Sequence, residues 1–99
     1  MDDLQIFLSN KYDFKRKENH GTSFSLLYGM SDGDVKYSIL AEYLDKEMPR
    51  EIVIRAKHHE SVHFVKFSID LIFKMRKDPR LMNAVFDAEI KKLKDKVTI

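Results

Sequence analysis

The sequence predicts an α+β domain, a two-layer sandwich in which a three-stranded antiparallel sheet carries helices on one face, in the order α-β-β-β-α-α. Three observations favour this class. Apolar and polar residues alternate in the middle of the chain, apolar residues recur at helical spacing near both ends, and only three glycines and two prolines interrupt them. A chain of 99 residues, 43% of them hydrophobic, can build one core. We therefore treat residues 1–99 as a single domain.

The chain begins with a predicted helix and a predicted loop. Residues 2–10 place Leu4, Phe7 and Leu8 at helical spacing, behind an aspartate that can cap the helix. The run 15–21 is polar and ends in glycine, which is typical of a loop.

A hairpin is predicted next. Residues 22–28 and 35–43 alternate apolar and polar side chains, and the segment 31–34, Ser-Asp-Gly-Asp, is a strong turn signal between them. A helix over residues 34–45, capped by Asp34, also fits the apolar spacing. We favour the strand because the preceding strand would otherwise lack a partner.

The second half is predicted as one strand and two helices. Residues 51–56 are short and β-branched, and a long helix follows from about residue 59 to 77. Asp78 and Pro79 then end that helix and start another, with Asp78 as its cap. The last helix carries an apolar stripe, which consists of Leu81, Met82, Val85, Phe86, Ile90 and Leu93.

One stretch of the sequence matches a motif of known chemistry. Residues 59–63, His-Glu-Ser-Val-His, fit the H-E-x-x-H pattern, in which two histidines on one helix bind zinc and the glutamate acts on the bound water. Over these five residues the sequence resembles the zinc metallopeptidases. The resemblance implies His59 and His63 as ligands and Glu60 as the base. It also implies a third ligand downstream, for which Glu89 is the best carboxylate.

Two observations weigh against a zinc-dependent hydrolase, which we keep as the alternative. On the predicted helix, His59 and His63 share a stripe with charged residues and therefore face solvent. Ser61 is also a good N-cap, which would leave His59 outside the helix. A milder alternative is weak chelation of a metal ion at the surface by His58, His59, His63 and His20. We expect a protein that is not an enzyme and has no cofactor.

The predicted order α-β-β-β-α over residues 2–77 is similar to that of the double-stranded-RNA-binding domain. The resemblance implies contacts to the RNA backbone from basic residues at the start of the last helix, and Arg55 and Lys57 lie near that point. The sequence departs from the family at its lysine cluster, since residues 57–60 are Lys-His-His-Glu. The glycine-rich approach to that cluster is also missing.

Aromatic residues on the predicted strands offer another route to nucleic acid. Tyr28, Tyr37 and Tyr43 would serve as stacking platforms for bases if one sheet face were open. Aromatic residues at strand spacing more often belong to the core, and we favour the core.

Composition excludes several classes. The absence of cysteine excludes disulfides, thiol catalysis and cysteine-based zinc fingers. No apolar run approaches the roughly 18 residues of a membrane span, and the first residues are acidic where a signal peptide is basic, so we expect a cytoplasmic protein without a membrane partner. The net charge is only +2, yet residues 61–99 carry +4 and residues 1–60 carry −2. A basic C-terminal segment can attract phosphates or acidic proteins.

We therefore predict a small, non-enzymatic binding or regulatory protein, of the accessory kind, that acts through its surface on a protein or a nucleic acid. Self-association through the last helix, where Ala84 and Ala88 flank the stripe, is a further hypothesis. The candidate contacts are basic positions near both ends of the chain, namely Lys15, Arg16, Lys17, Lys74, Arg76, Lys77, Arg80, Lys91, Lys92, Lys94 and Lys96.

Overall fold

The computed structural model describes residues 2–44 and 49–99, which form an α+β fold with one antiparallel sheet. The five strands of the sheet pair in chain order, each with the next. The elements are α1 (Asp3–Lys11), β1 (Asp13–His20), β2 (Ser23–Asp32), β3 (Val35–Tyr43), β4 (Pro49–His58), β5 (Ser61–Lys66), α2 (Ile69–Met75) and α3 (Pro79–Val97). The α+β class is confirmed, but the predicted number of three strands is wrong.

The first unpredicted strand is β1, which replaces the loop expected over residues 15–21. Every residue of β1 is exposed. A strand at the edge of a sheet with solvent on both sides has no apolar alternation, so its sequence cannot be distinguished from a loop by pattern alone. The predicted strands over residues 22–28 and 35–43 are confirmed within β2 and β3.

The second unpredicted strand is β5, and it overturns the long helix expected over residues 59–77. His59 and Glu60 form a two-residue turn, β5 returns along β4, and a helix begins only at Ile69. The apolar residues of this segment fit both a strand and a helix, and short apolar runs are ambiguous in this way. The order that resembled the double-stranded-RNA-binding domain is therefore absent, and Arg55 and Lys57 lie on β4 instead of at a helix start.

The helices pack against one face of the sheet, which we call the covered face. The core joins Leu8 of α1, Ile72 of α2 and Phe86 of α3 to alternate residues of the central strands, such as Ile39 and Ile54. Tyr28, Tyr37 and Tyr43 belong to the same core with exposed fractions of 2%, 4% and 0%. These tyrosines are thus not available as stacking platforms for bases.

Side chains close the first turn of each helix. Asp2 accepts a hydrogen bond from the Gln5 amide at 2.8 Å, and Ser68 accepts one from the Leu71 amide at 3.2 Å. At α3, Asp78 accepts from the Leu81 amide at 3.1 Å, which confirms the predicted cap. Such caps satisfy amides that have no partner within the helix. Within the described residues, none of the helices combines the length and apolarity needed to cross a membrane.

Candidate functional site

The face of the sheet opposite the helices, which we call the open face, presents rows of side chains set by strand register. Directly paired residues of antiparallel strands project from the same face. Leu27 pairs with Leu40, Leu40 with Val53, and Val53 with Lys66, so these four residues form a row across the sheet. Leu40 is 37% exposed. The open face is therefore accessible and partly apolar along its middle.

Two rows on one side of this middle row are basic. Register places Lys36 beside Lys57 and Ser38 beside Arg55, so three cations lie on neighbouring positions of β3 and β4. Lys15 of β1 joins them, because its stem lies across Gly29, which pairs with Ser38. We call this part of the open face the basic half, defined by Lys15, Lys36, Arg55 and Lys57.

Lys15 reaches this position for two reasons. The β1–β2 ladder shifts register between Phe14 and Arg16, so Lys15 sits in a bulge. Gly29 then leaves space for its stem, since a Cβ atom at Gly29 would lie 2.7 Å from Lys15 Cε. Asp13, which pairs with Gly29, is at the β1 border of the same area.

The row on the other side of the middle row differs from the basic half in how its charges are compensated. Register brings Glu18, Glu42 and Glu51 into this row, and each carboxylate lies within ion-pair distance of a cation. The pairs are Glu18 with Arg16 at 3.1 Å, Glu42 with Arg50 at 3.5 Å and Glu51 with Lys66 at 3.4 Å. Within residues 2–44 and 49–99, none of the four cations of the basic half makes an ion pair. The basic half is thus a cationic area whose four cations make no ion pair among the described residues, and Asp13 is the carboxylate at its β1 border.

An exposed aromatic ring borders the basic half. Phe64 of β5 pairs directly with Arg55 and is 68% exposed, and its neighbour Val62 pairs with Lys57 and is 39% exposed. A phenylalanine on a two-layer domain loses apolar contact with the core when it projects from the open face. Its position beside a cation gives the surface both charge and a flat apolar ring.

The structure brings three of the sequence-predicted contacts together elsewhere. Lys17, Arg76 and Lys77 line a groove of about 780 Å³ between the β1–β2 turn and the α2–α3 connection. The carboxylates of Asp2 and Asp3 also lie beside Arg76 and Lys77. Because two carboxylates oppose three cations, this groove is much less cationic than the basic half.

The remaining predicted contacts are distributed over other surfaces. Lys15 belongs to the basic half, Arg16 pairs with Glu18, and Lys74 is exposed on α2. On α3 two lysines pair with carboxylates, Lys92 with Glu89 at 3.4 Å and Lys94 with Asp32 at 2.9 Å. The hydrogen bond that Lys94 donates to Asp32 raises the pKa of Lys94. The other contacts on α3, all exposed, are Arg80, Lys91 and Lys96.

The helix required by the H-E-x-x-H pattern is absent. His59 and Glu60 occupy the β4–β5 turn, and His63 lies on β5. The proposed third ligand, Glu89, accepts a hydrogen bond from Lys92. The two histidines of the pattern therefore lack the one-turn spacing along a helix that zinc hydrolases use.

A different set of metal-ligating side chains does come together. Donor atoms of Asp34, His58 and His59 all lie within 4.8 Å of one another. Asp34 lies in the β2–β3 turn, and the two histidines lie at the β4–β5 turn. Among the described residues, this is the group of three ligating side chains that the fold assembles, and it includes neither His63 nor Glu89.

Lys36 and Phe64 were not predicted as contacts, and Arg55 and Lys57 were named only through the resemblance to the double-stranded-RNA-binding domain. The signal for the three cations was present, because they occupy the polar positions of two strands whose apolar residues alternate. The signal for Phe64 was hidden by the helix assigned to its segment.

No family model, curated protein or solved structure matches this chain.

Proposed function

We propose that the protein binds single-stranded nucleic acid on the open face of its sheet, with the basic half as the phosphate-binding surface. One observation carries the proposal. Four cations without ion-pair partners among the described residues share a face with an exposed phenylalanine. This role is that of a non-enzymatic binding protein.

The charge pattern favours a polyanion. The three carboxylates of the row beyond the middle row are each paired with a cation. The four cations of the basic half outnumber the two carboxylates at its borders, Asp13 and Asp34, so this part of the open face keeps a net positive charge. Lysine and arginine bound to phosphates release condensed counterions, which drives binding at low salt. Arg55 can donate two hydrogen bonds to one phosphate, whereas Lys36 and Lys57 act as point charges.

The exposed ring favours a single strand over a duplex. A base that is not stacked within a helix can lie on Phe64, and such stacking contributes about 1–3 kcal/mol per base. Reading a duplex requires an element that enters a groove, and the open face consists of strands lying side by side. Stacking and phosphate contacts tolerate any sequence, so we expect weak sequence preference.

A binding assay with matched variants tests the proposal. We compare Lys36→Gln/Arg55→Gln/Lys57→Gln with Arg80→Gln/Lys91→Gln/Lys96→Gln, using a fluorescent single-stranded oligonucleotide at low salt. Both variants lose one arginine and two lysines, but only the first loses the basic half. We expect the first to bind much more weakly than the wild type and the second to bind nearly as well. Equal loss in both would show that net charge alone attracts the nucleic acid.

A second candidate function is self-association through the outer edge of β5. The other edge strand, β1, carries a charge at five of its eight residues and is bulged at Lys15, which are two features that prevent edge-to-edge pairing. β5 has neither protection, since its registered pairs run from Ser61 to Lys66 without a bulge and it exposes Val62 and Phe64. An antiparallel pair of β5 strands centred on His63 would set Val62 of one copy opposite Phe64 of the other.

Sedimentation of two variants separates this candidate from pairing through the last helix. Val62→Lys places a charge on the β5 edge, and Ala88→Lys places the same charge on the exposed side of α3. If copies pair through β5, only Val62→Lys abolishes the dimer. If only Ala88→Lys abolishes the dimer, the copies associate through α3. If the wild-type protein is a monomer at all concentrations, it does not self-associate through either β5 or α3.

A further inference from the structure

We propose that Asp34, His58 and His59 form a binding site for one divalent transition-metal ion, for which zinc is the best fit. The donor atoms of these three side chains lie within 4.8 Å of one another. The site is separate from the basic half, and the inference does not depend on nucleic-acid binding.

Strand register explains why residues so far apart in sequence meet. Lys36 pairs with Lys57 in the β3–β4 ladder. Continuing this antiparallel register by two residues places Asp34 beside His59. Two turns at the same end of the sheet thus supply the ligands, and the ladder between them fixes their separation.

The backbone at His59 explains why two consecutive residues contribute to one site. Successive side chains of a strand project to opposite faces. His59 has a φ of 54°, in the left-handed region, where the chain leaves the extended conformation of β4. The imidazole rings of His58 and His59 consequently lie with their centroids 4.2 Å apart. A non-glycine residue in this region is strained, so the conformation is one that the surrounding hairpin must enforce.

The donor set matches zinc chemistry. Zinc binds imidazole nitrogens and carboxylate oxygens at about 2.0–2.2 Å, usually with four ligands in a tetrahedron. In such a tetrahedron the donor atoms are about 3.4 Å apart, so these three side chains reach it by small rotations. Asp34 and His59 are exposed and free to rotate, whereas His58 is half-buried and provides a fixed point. Three protein ligands leave the fourth position to water.

The local charges favour a modest affinity. Asp34 offers one negative charge to the ion, while Lys36 and Lys57 lie in the adjoining row of the sheet. Repulsion from these lysines weakens binding without removing it, because both are exposed and screened by solvent. The expected consequence of binding is mechanical: the ion connects the β2–β3 and β4–β5 turns, which the sheet joins only through the β3–β4 ladder.

Calorimetric titration of zinc into tag-free protein near neutral pH tests the proposal. The ligand variants are Asp34→Asn and His59→Asn; asparagine is chosen at residue 59 because it tolerates the left-handed region. The controls are His63→Gln and His20→Gln, and circular dichroism checks that all four variants fold. We expect one zinc ion per wild-type chain, an affinity at least tenfold lower in both ligand variants, and unchanged affinity in both controls.

Three results would overturn the site. Absence of binding to the wild type would remove it altogether. Unchanged affinity in Asp34→Asn would mean that the histidines alone bind zinc adventitiously. Loss of binding in His63→Gln or His20→Gln would assign the metal to other histidines.

Discussion

The covered and open faces of the sheet are made by alternate residues of the same strands, yet they differ in what holds their side chains. Along β3, Tyr37 and Ile39 are buried at 4% and 0% exposure, whereas Lys36 and Leu40 are exposed. The first set is fixed by contacts with three helices. The second set has no layer above it among the described residues, so its charges and apolar atoms remain available to a ligand.

Burial and exposure thus belong to residues only one position apart, and under the proposed function stability and binding are divided between the same two sets. Substitutions on the covered face should change the free energy of unfolding, and substitutions on the open face should change affinity.

The largest expected change is a loss of stability, caused by a substitution at Phe86 on the covered face. Its ring is fully buried and contacts the rings of Phe7, Tyr12 and Phe67, at centroid distances of 5.4, 6.1 and 5.2 Å. Phe86→Ala should lower the free energy of unfolding by about 3–5 kcal/mol, through lost burial and the cavity left behind. Urea denaturation measures the change. The matched variant Phe64→Ala on the open face should stay within about 0.5 kcal/mol of the wild type.

A second effect on the covered face appears at alkaline pH. Burial, followed by the nearby carboxylate of Asp2, raises the pKa of Tyr43, and burial and Asp87 raise the pKa of Tyr12. Both phenols are neutral in the folded protein at a pH where the unfolded chain ionises them, from about pH 10 upward. The contribution of these two tyrosines to folding stability is therefore constant below that pH and falls as the pH rises above it. Denaturation at increasing pH should show the fall, and Tyr43→Phe should reduce it.

The third prediction concerns stacking on the open face. Phe64→Ala should weaken binding of a single-stranded oligonucleotide by about 1–3 kcal/mol if one base stacks on the ring. Phe73→Ala is the control, because Phe73 is 58% exposed but lies on α2. Fluorescence anisotropy gives both affinities. A similar loss in the two variants would indicate nonspecific contact with exposed rings.

The smallest change in affinity for single-stranded nucleic acid is expected from neutralising Glu42 and Glu51, the carboxylates that form ion pairs with Arg50 and Lys66. The double variant Glu42→Gln/Glu51→Gln removes the ion-pair partners of Arg50 and Lys66, which lie on or beside the open face. Both cations can then attract phosphates, so binding of the oligonucleotide should tighten by less than about 1 kcal/mol. The control Asp70→Asn/Asp95→Asn removes the same charge from the helices. If both variants tighten binding equally, total charge governs affinity, and the contrast between the two parts of the open face has no role.

Much of the covered face could be predicted from the sequence, and much of the open face could not. The Asp78-Pro79 pair points to one structure, and the alternation in residues 35–43 favours the strand over the helix that also fits, because capping and burial leave local signals. β1 has no such signal in its sequence, because its residues are exposed on both sides of the strand. β5 was mistaken for a helix because its turn, His59-Glu60, lacks the glycine or asparagine that usually marks a two-residue hairpin.

The candidate site was missed for the same reason. The predicted contacts lay mainly in the lysine-rich C-terminal segment, but the unpaired cations that share one face lie mostly on β3 and β4. Which cations share a face depends on strand register, and register depends on pairing that one sequence does not reveal. Likewise, the meeting of Asp34 with His58 and His59 follows from the β3–β4 ladder and from the backbone at His59.

The salt dependence of binding tests the central claim most directly. If the four cations of the basic half neutralise phosphates, the logarithm of the association constant for a single strand should fall against the logarithm of salt concentration with a slope of about −3. In Lys36→Gln/Arg55→Gln/Lys57→Gln the slope should become shallower by about 2. A wild-type protein that does not bind at low salt, or a slope that the triple substitution leaves unchanged, would contradict nucleic-acid binding on the open face.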